Sequence, residues 1–335
     1  MKLTDQASEP EPTLGVPQPV LTGPLGALLE WQALAEGAYS ANTLRAQKAD
    51  GAIFQLFCEG RGEAFLPADP KTIRAFIEDQ VKAGKKPATI KRYVATIARV
   101  HTAVGHLNPC SSEAVRLGLK KMGRESSARQ TQAHPLGWKD IKEFIENSGE
   151  GLRADRERAM LCVAYETLAR RSELVALQVA DIDFNPDGTG HALIRRGKTD
   201  AAGQGRVAYL SRETVRWLKA WLEHAGISED ALFRRLIGQT QIGGPLNAGS
   251  VAMIFKRVAQ WIGMPERFAA QVSGHSTRVG AAQDLAALDI DLAAITQAGG
   301  WKSTRMPLQY AEKINVARSG MARAAAASGR DKEAG

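Results

Sequence analysis

The sequence predicts a mainly α protein of two parts, an all-helical N-terminal domain and a mixed α+β domain with a small antiparallel sheet. Three observations carry this. From Leu28 to about Gly123 the apolar residues recur at helical spacing, with Pro and Gly between the runs. Residues 123–137 have no periodicity and read as a linker. Beyond them a strand–turn–strand signal stands among further helical segments, with the turn at Asn185-Pro186-Asp187-Gly188-Thr189-Gly190. A length of 335 residues agrees, at about 100–200 residues per domain. The expected organisation is a disordered leader at 1–26, a helical domain at 27–123, a linker at 124–137, a second domain at 138–327 and a disordered tail at 328–335.

Each element has a local reason. Residues 1–26 carry prolines at 10, 12, 17, 19 and 24 and no periodicity. Ser40 or Asn42 can cap a helix reaching about Phe57, with Leu44, Ile53, Phe54 and Phe57 available for a core. Asp69 can cap the next helix with Pro70 at its first position; Ile73, Phe76, Ile77 and Val81 form its apolar face. Thr89 to Val104 repeats the scheme through Ile90, Tyr93, Val94, Ile97 and Val100, and a short helix covers about 112–122. In the second domain 140–147 and 156–168 read as helices, 181–184, 191–195 and 206–210 as strands. From Arg212 onward the pattern is helical again, punctuated at Gly243-Gly244-Pro245.

Composition narrows the function. The chain carries 44 Lys and Arg against 36 Asp and Glu, a net charge of +8. The leader holds Lys2 against Asp5, Glu9 and Glu11, a net of −2, so the other 309 residues carry +10. Such an excess points to a polyanion, nucleic acid first. No apolar run approaches the ~20 residues that span a bilayer, and Met1-Lys2-Leu3-Thr4-Asp5 lacks the order of a signal peptide, so a cytoplasmic location is expected. Cys58, Cys110 and Cys162 lie far apart with no His at zinc spacing, which speaks against a disulfide framework or zinc finger.

The familiar catalytic motifs are missing: no P-loop, GxSxG, HExxH or strict GxGxxG occurs. What remains is a dispersed basic set. Arg170 closes the helix at Leu168-Ala169-Arg170-Arg171-Ser172-Glu173-Leu174. Lys198 follows the hairpin, and His275 and Arg278 share Ser273-Gly274-His275-Ser276-Thr277-Arg278. Trp301 follows Gly299 and Gly300, and Tyr310 comes nine residues later. Taken singly each has an ordinary structural reading: Arg170 and Glu173 as an i,i+3 helix pair, Lys198 as a turn lysine, Trp301 as core.

As an ordered set, Arg170, Glu173, Lys198, His275-x-x-Arg278, Trp301 and Tyr310 resemble the tyrosine recombinase (phage integrase) family. The likeness is densest in TLARRSEL, SGHSTRVGAAQDL and QAGGW, and runs from about Ser40 to Met321. Breaking a phosphodiester without metal needs a nucleophile, cations on the non-bridging oxygens and an acid for the leaving 5′-oxygen. Arginines suit the second task because they stay charged and bind phosphate oxygens through two N–H groups. The resemblance implies that Tyr310 is the nucleophile and that Arg170 and Arg278 hold the phosphate. It makes Lys198 the general acid, and has His275 assist proton transfer or phosphate binding, Trp301 offer an indole N–H and Glu173 orient the basic groups. The x-x-Glu spacing assigns the role to Arg170 and leaves Arg171 surface- or DNA-facing. No metal or other cofactor is implied.

The resemblance also implies how DNA is held. The N-terminal unit would be the core-binding domain, its first and third helices crossing the major groove while the catalytic domain grips the other side. Thr43, Arg45, Gln47, Lys48, Lys91 and Arg92 are the candidates on those helices. Lys120, Lys121 and Arg124 at the linker entrance are read as phosphate contacts, and Lys256 and Arg257 lie on a further groove-facing helix. The implied partners are double-stranded DNA with an inverted-repeat site and three further copies of the chain, a tetramer on two sites passing through a Holliday junction. A relaxing enzyme of the type IB kind and a DNA-binding protein with a decayed site are the alternatives.

Overall fold

The computed structural model describes residues 31, 33, 35–125, 132–195, 205–238 and 240–331. The expected leader at 1–26, residues 126–131 of the expected linker, residues 196–204 and residues 332–335 lie outside the described residues. The chain divides into two compact units between Gln130 and Thr131.

The first unit holds α1 (Ala41–Glu59), α2 (Pro70–Lys82), α3 (Pro87–Ala103) and α4 (Glu113–Glu125). Ser40 caps α1, its Oγ accepting from the Thr43 amide, and Asp69 caps α2 through the Lys71 amide at 2.7 Å. Phe54, Ile73, Phe76, Ile77, Ile90, Tyr93, Ile97, Val115 and Met122 form the core. The ring of Phe76 lies 5.2 Å from those of Phe54 and Phe57. Ile53, expected in this core, is exposed. The buried stripe of α1 runs Asp50, Phe54, Cys58, four residues apart, and Ile53 lies about 100° off it. Asp50 brings a carboxylate into that stripe because α3 answers it: Arg92 donates at 2.9 Å and Thr96 at 3.3 Å.

The second unit opens with α5 (Trp138–Asn147), α6 (Leu152–Glu166) and the single turn α7 (Arg171–Leu174). The sheet follows, β1 (Ile182–Phe184), β2 (Gly190–Ile194) and β3 (Arg206–Leu210), antiparallel in the order β1-β2-β3 with Ala192 opposite both Ile182 and Ala208. Next come α8 (Arg212–Ala225), a hairpin of β4 (Arg234–Ile237) and β5 (Gln241–Pro245), and α9 (Ala248–Trp261). The chain continues through α10 (Glu266–Ala269), α11 (Ser276–Ala287), α12 (Leu292–Ala298), α13 (Arg305–Tyr310), α14 (Glu312–Ala317) and α15 (Gly320–Ala327). The β4–β5 hairpin corrects the all-helical reading after Arg212. Both strands are half-exposed, β4 is short and begins with two arginines, and β5 carries Gly243 and Gly244, so no strand-length apolar alternation shows.

Helix α6 is the buried axis of this unit, enclosed from Arg156 to Ala164. Its charges are met inside: Glu157 accepts from Arg156 and from Arg257 of α9. The end of the predicted linker belongs to the same packing. Leu136 is fully buried and its amide donates to the Ser276 carbonyl at 3.0 Å. Gly280 of α11 leaves room for that segment, since a Cβ there would overlap the Leu136 carbonyl. Among the described residues no helix is long and apolar enough to cross a membrane.

Candidate active site

The site is built where two backbone turns meet the start of α11. Helix α6 stops at Glu166, Leu168 takes a left-handed backbone (φ 47°) and Arg170 is extended, forming the N-cap of α7. Arg170 therefore opens a short helix and does not close a long one. A helix continued to Leu174 would swing Arg170 with the cylinder, whereas the break lets Glu173 fix it from both ends. Glu173 accepts from the Arg170 amide at 2.9 Å and from its Nη1 at 2.5 Å. The Glu173 side chain is 3% exposed and that of Arg170 20%. Arg171 is exposed, its stem packed against Gly274 beside His275.

Arg278 sits in the first turn of α11 and is buried. Its Nη1 donates to the Leu168 carbonyl and its Nη2 to the Gly299 carbonyl at 2.7 Å. The guanidinium carbon lies 4.2 Å from the centroid of the Trp301 ring. Burial, then the neighbouring Arg170, push the guanidinium down to about 10, so it is charged at neutral pH. His275 is the N-cap residue of α11, exposed on one side. Desolvation of its imidazole, then the charges of Arg278, Arg171 and Arg170, hold it below the usual histidine range.

Trp301 meets Tyr310 edge-on, with ring centroids 5.9 Å apart and planes at 64°. Gly299 makes the fold of this turn possible, because a Cβ there would overlap the indole. Tyr310 ends α13, and Gln283 of α11 donates to its carbonyl at 3.0 Å. Arg170, Glu173, His275, Arg278, Trp301 and Tyr310 thus share one neighbourhood, although 140 positions separate Arg170 from Tyr310. Lys198 lies outside the described residues. Among those residues no three His, Cys, Asp or Glu side chains cluster as a metal would need.

One residue of this neighbourhood escaped the sequence reading. Arg206, taken only as the start of a strand, donates to the Thr167 carbonyl and to the Ala298 carbonyl at 3.0 Å. Burial lowers the pKa of its guanidinium; Glu173 counters this and Arg170 adds to it. A lone arginine at the edge of a strand carries no signal that separates it from a solvated one.

The predicted DNA-facing residues divide by environment. Arg45, Gln47 and Lys48 border one groove beside α3, together with Arg99. Thr43 belongs to the cap of α1, its hydroxyl 2.9 Å from that of Ser40. Lys91, Lys120 and Arg124 are exposed, and Lys121 faces Glu125 at 3.8 Å. Lys256 is exposed, whereas Arg92 and Arg257 are tied to the buried carboxylates of Asp50 and Glu157. Those two arginines hold helices together besides presenting charge.

The helical fold with its small antiparallel sheets is that of the tyrosine recombinases. It is similar to the Tn1549 transposon integrase in complex with transposon right end DNA, at a TM-score of 0.61 and 14% identity, covering 89% of this chain and 99% of that one. It is also similar to a lambda integrase dimer bound to a COC′ core site, at a TM-score of 0.54 and 18% identity, covering 86% and 76%. The family model of the phage integrase family matches residues 134–315, and the chain belongs to that family of site-specific DNA recombinases. It is 31% identical over 295 residues to an integrase/recombinase XerD homolog of Selenomonas ruminantium, covering 84% of each. Identity to the recombinase Cre of Escherichia phage P1 is 25% over 304 residues, covering 85% of this chain and 88% of Cre.

Proposed function

We propose that this chain is a Cre-like recombinase that cleaves and rejoins double-stranded DNA at an inverted-repeat site. Four copies act on two sites and exchange strands in pairs through a Holliday junction. The observation that carries the reading is the stack of Arg278, Trp301 and Tyr310 beside the Glu173-held Arg170. It sets two arginines and a phenol in one place, as metal-free phosphoryl transfer requires.

The chemistry balances within the chain. The Tyr310 oxygen attacks the scissile phosphorus while Arg170 and Arg278 neutralise the non-bridging oxygens. A 3′-phosphotyrosyl bond forms and the bond to the 5′-oxygen breaks. His275, whose pKa is lowered by desolvation and then by its arginine neighbours, accepts the phenolic proton, and Lys198 protonates the leaving 5′-oxygen. Trp301 adds an indole N–H at the phosphate. The phosphotyrosyl link conserves the energy of the broken bond, so an incoming 5′-hydroxyl reverses the steps without ATP. The basic residues bordering the groove beside α3, with Lys91, Lys120, Lys121, Arg124 and Lys256, take the DNA backbone and base edges.

The test is a suicide DNA site recovered by binding selection from a random pool. The wild-type chain is expected to form a covalent adduct in a denaturing gel with EDTA present, and Tyr310→Phe to bind the site without forming it. An adduct with Tyr310→Phe overturns the nucleophile. Joining of two sites marks a recombinase, whereas relaxation of supercoiled DNA without joining marks the type IB-like reading.

A further inference from the structure

Two arginines bridge the same pair of backbone turns, one residue apart. Arg278 donates to the carbonyls of Leu168 and Gly299, and Arg206 to those of Thr167 and Ala298. The first turn leads within three residues to Arg170 and the second within three to Trp301. Arg206 comes from a different element, the first residue of β3, and its stem fills the space under the second turn. A Cβ on Gly300, whose φ is +59°, would lie 2.8 Å from the Arg206 Cδ. A guanidinium can serve two carbonyls at a set separation because its donors form a rigid fork; an ammonium is a single point.

We infer that Arg206 is a positioning residue for strand cleavage, which holds the turns before Arg170 and Trp301 at the separation that Arg278 spans. It acts through these neighbours and is given no phosphate contact: its Nη1 and Nη2 donate to the main chain as those of Arg278 do, but only Arg278 also lies against Trp301. A third arginine beside Arg170 and Arg278 repels both, and this placement has a use if the fork sets the site's geometry. The inference rests on the reading of Arg170, Arg278 and Trp301 as active-site residues.

The experiment uses the full chain and a selected DNA site that the wild type cleaves. Single-turnover adduct formation is measured for Arg206→Met and Arg206→Lys, alone and combined with Arg278→Lys, with DNA affinity across a salt series and a melting curve for each. Arg206→Met is expected to slow cleavage about 100-fold, the scale of a small misplacement of reacting groups, with affinity and salt slope unchanged. Arg206→Lys, keeping the charge and one bond, recovers part of that loss. Combined with Arg278→Lys, the Arg206→Met loss shrinks below about tenfold, since residues that act as a unit are not additive. A salt slope reduced by about one unit would assign Arg206 to a phosphate and overturn the inference. So would losses that multiply in the double variant, or cleavage by Arg206→Met at the wild-type rate. If Arg206→Met does not fold, the Arg206→Lys cycle decides alone. A wild type that binds DNA but never forms the Tyr310 adduct overturns the recombinase reading itself.

Discussion

The guanidinium of Arg278 lies face-on to Trp301, 4.2 Å from the ring centroid, and its donors reach back to the Leu168 and Gly299 carbonyls. An arginine so held has lost its rotamer freedom before any phosphate arrives, which lowers the cost of orienting it in the reaction. Trp301 passes this order on to Tyr310 through an edge contact.

Trp301→Ala should therefore slow cleavage of a suicide site by about 100-fold, because both Arg278 and Tyr310 lose a wall. Trp301→Phe keeps both ring contacts, loses only the N–H and should stay within about tenfold. Gly299→Ala should behave like Trp301→Ala, since the added methyl overlaps the indole. Equal rates for the Ala and Phe variants would show that the stack is idle.

Glu173→Ala leaves Arg170 without its carboxylate and its N-cap bond. The expected cost is roughly 3 kcal/mol, the low end for removing one partner of a buried pair, because Arg170 remains 20% exposed. Glu173→Gln retains an acceptor oxygen for one of the two bonds and should recover part of the stability while still slowing cleavage. Urea unfolding of the three proteins checks the order.

The pH profile of cleavage should carry the mark of His275. Its pKa lies below the usual histidine value of 6.5, so the neutral form persists to lower pH and the acid limb of the profile should fall below 6.5. Arg171 is one of the three arginines that depress it. Arg171→Ala removes that charge, and the acid limb should move up. A limb that does not respond belongs to another group.

Stability should also depend on pH through His101, which lies in the first unit. Its Nδ1 donates to the Ile97 carbonyl and its Nε2 accepts the Ala68 amide, each at 2.8 Å, which defines the neutral tautomer. Burial holds its pKa below the 6.5 of an unfolded histidine. The folded state thus binds the proton less readily than the unfolded one, so the contribution is complete above 6.5 and is lost as pH falls below it. Urea midpoints should drop between about pH 7.5 and 5.5 for the wild type and less for His101→Gln. Equal slopes would assign the loss elsewhere.

Much of this protein was legible in order along the chain. Ser40, Asp69 and Pro70 announce their helix starts by chemistry local to one turn, and the i, i+4 apolar faces of α2 and α3 predict the side each one buries. The candidate catalytic residues were legible as an ordered series of residue types, and all of them but Lys198, which lies outside the described residues, share one neighbourhood. Ile53 was misread because two apolar neighbours, Ile53 and Phe54, cannot both face a core that admits one stripe. Hairpin β4–β5 was missed because its half-exposed strands show no strand-length apolar alternation.

By itself the sequence determined a helical first unit, most helix boundaries and the ordered series of candidate site residues, since caps, periodicity and motif order are written in neighbouring residues. Only the tertiary structure decided that Arg170 starts a helix, that Arg92 and Arg257 are bound to buried carboxylates, and that Arg206 joins the site. The last two facts depend on carbonyls and carboxylates brought close from 39 to 100 positions away, as Thr167 is to Arg206 and Glu157 to Arg257. A hydrogen bond acts over about 3 Å in space, whatever the distance along the chain.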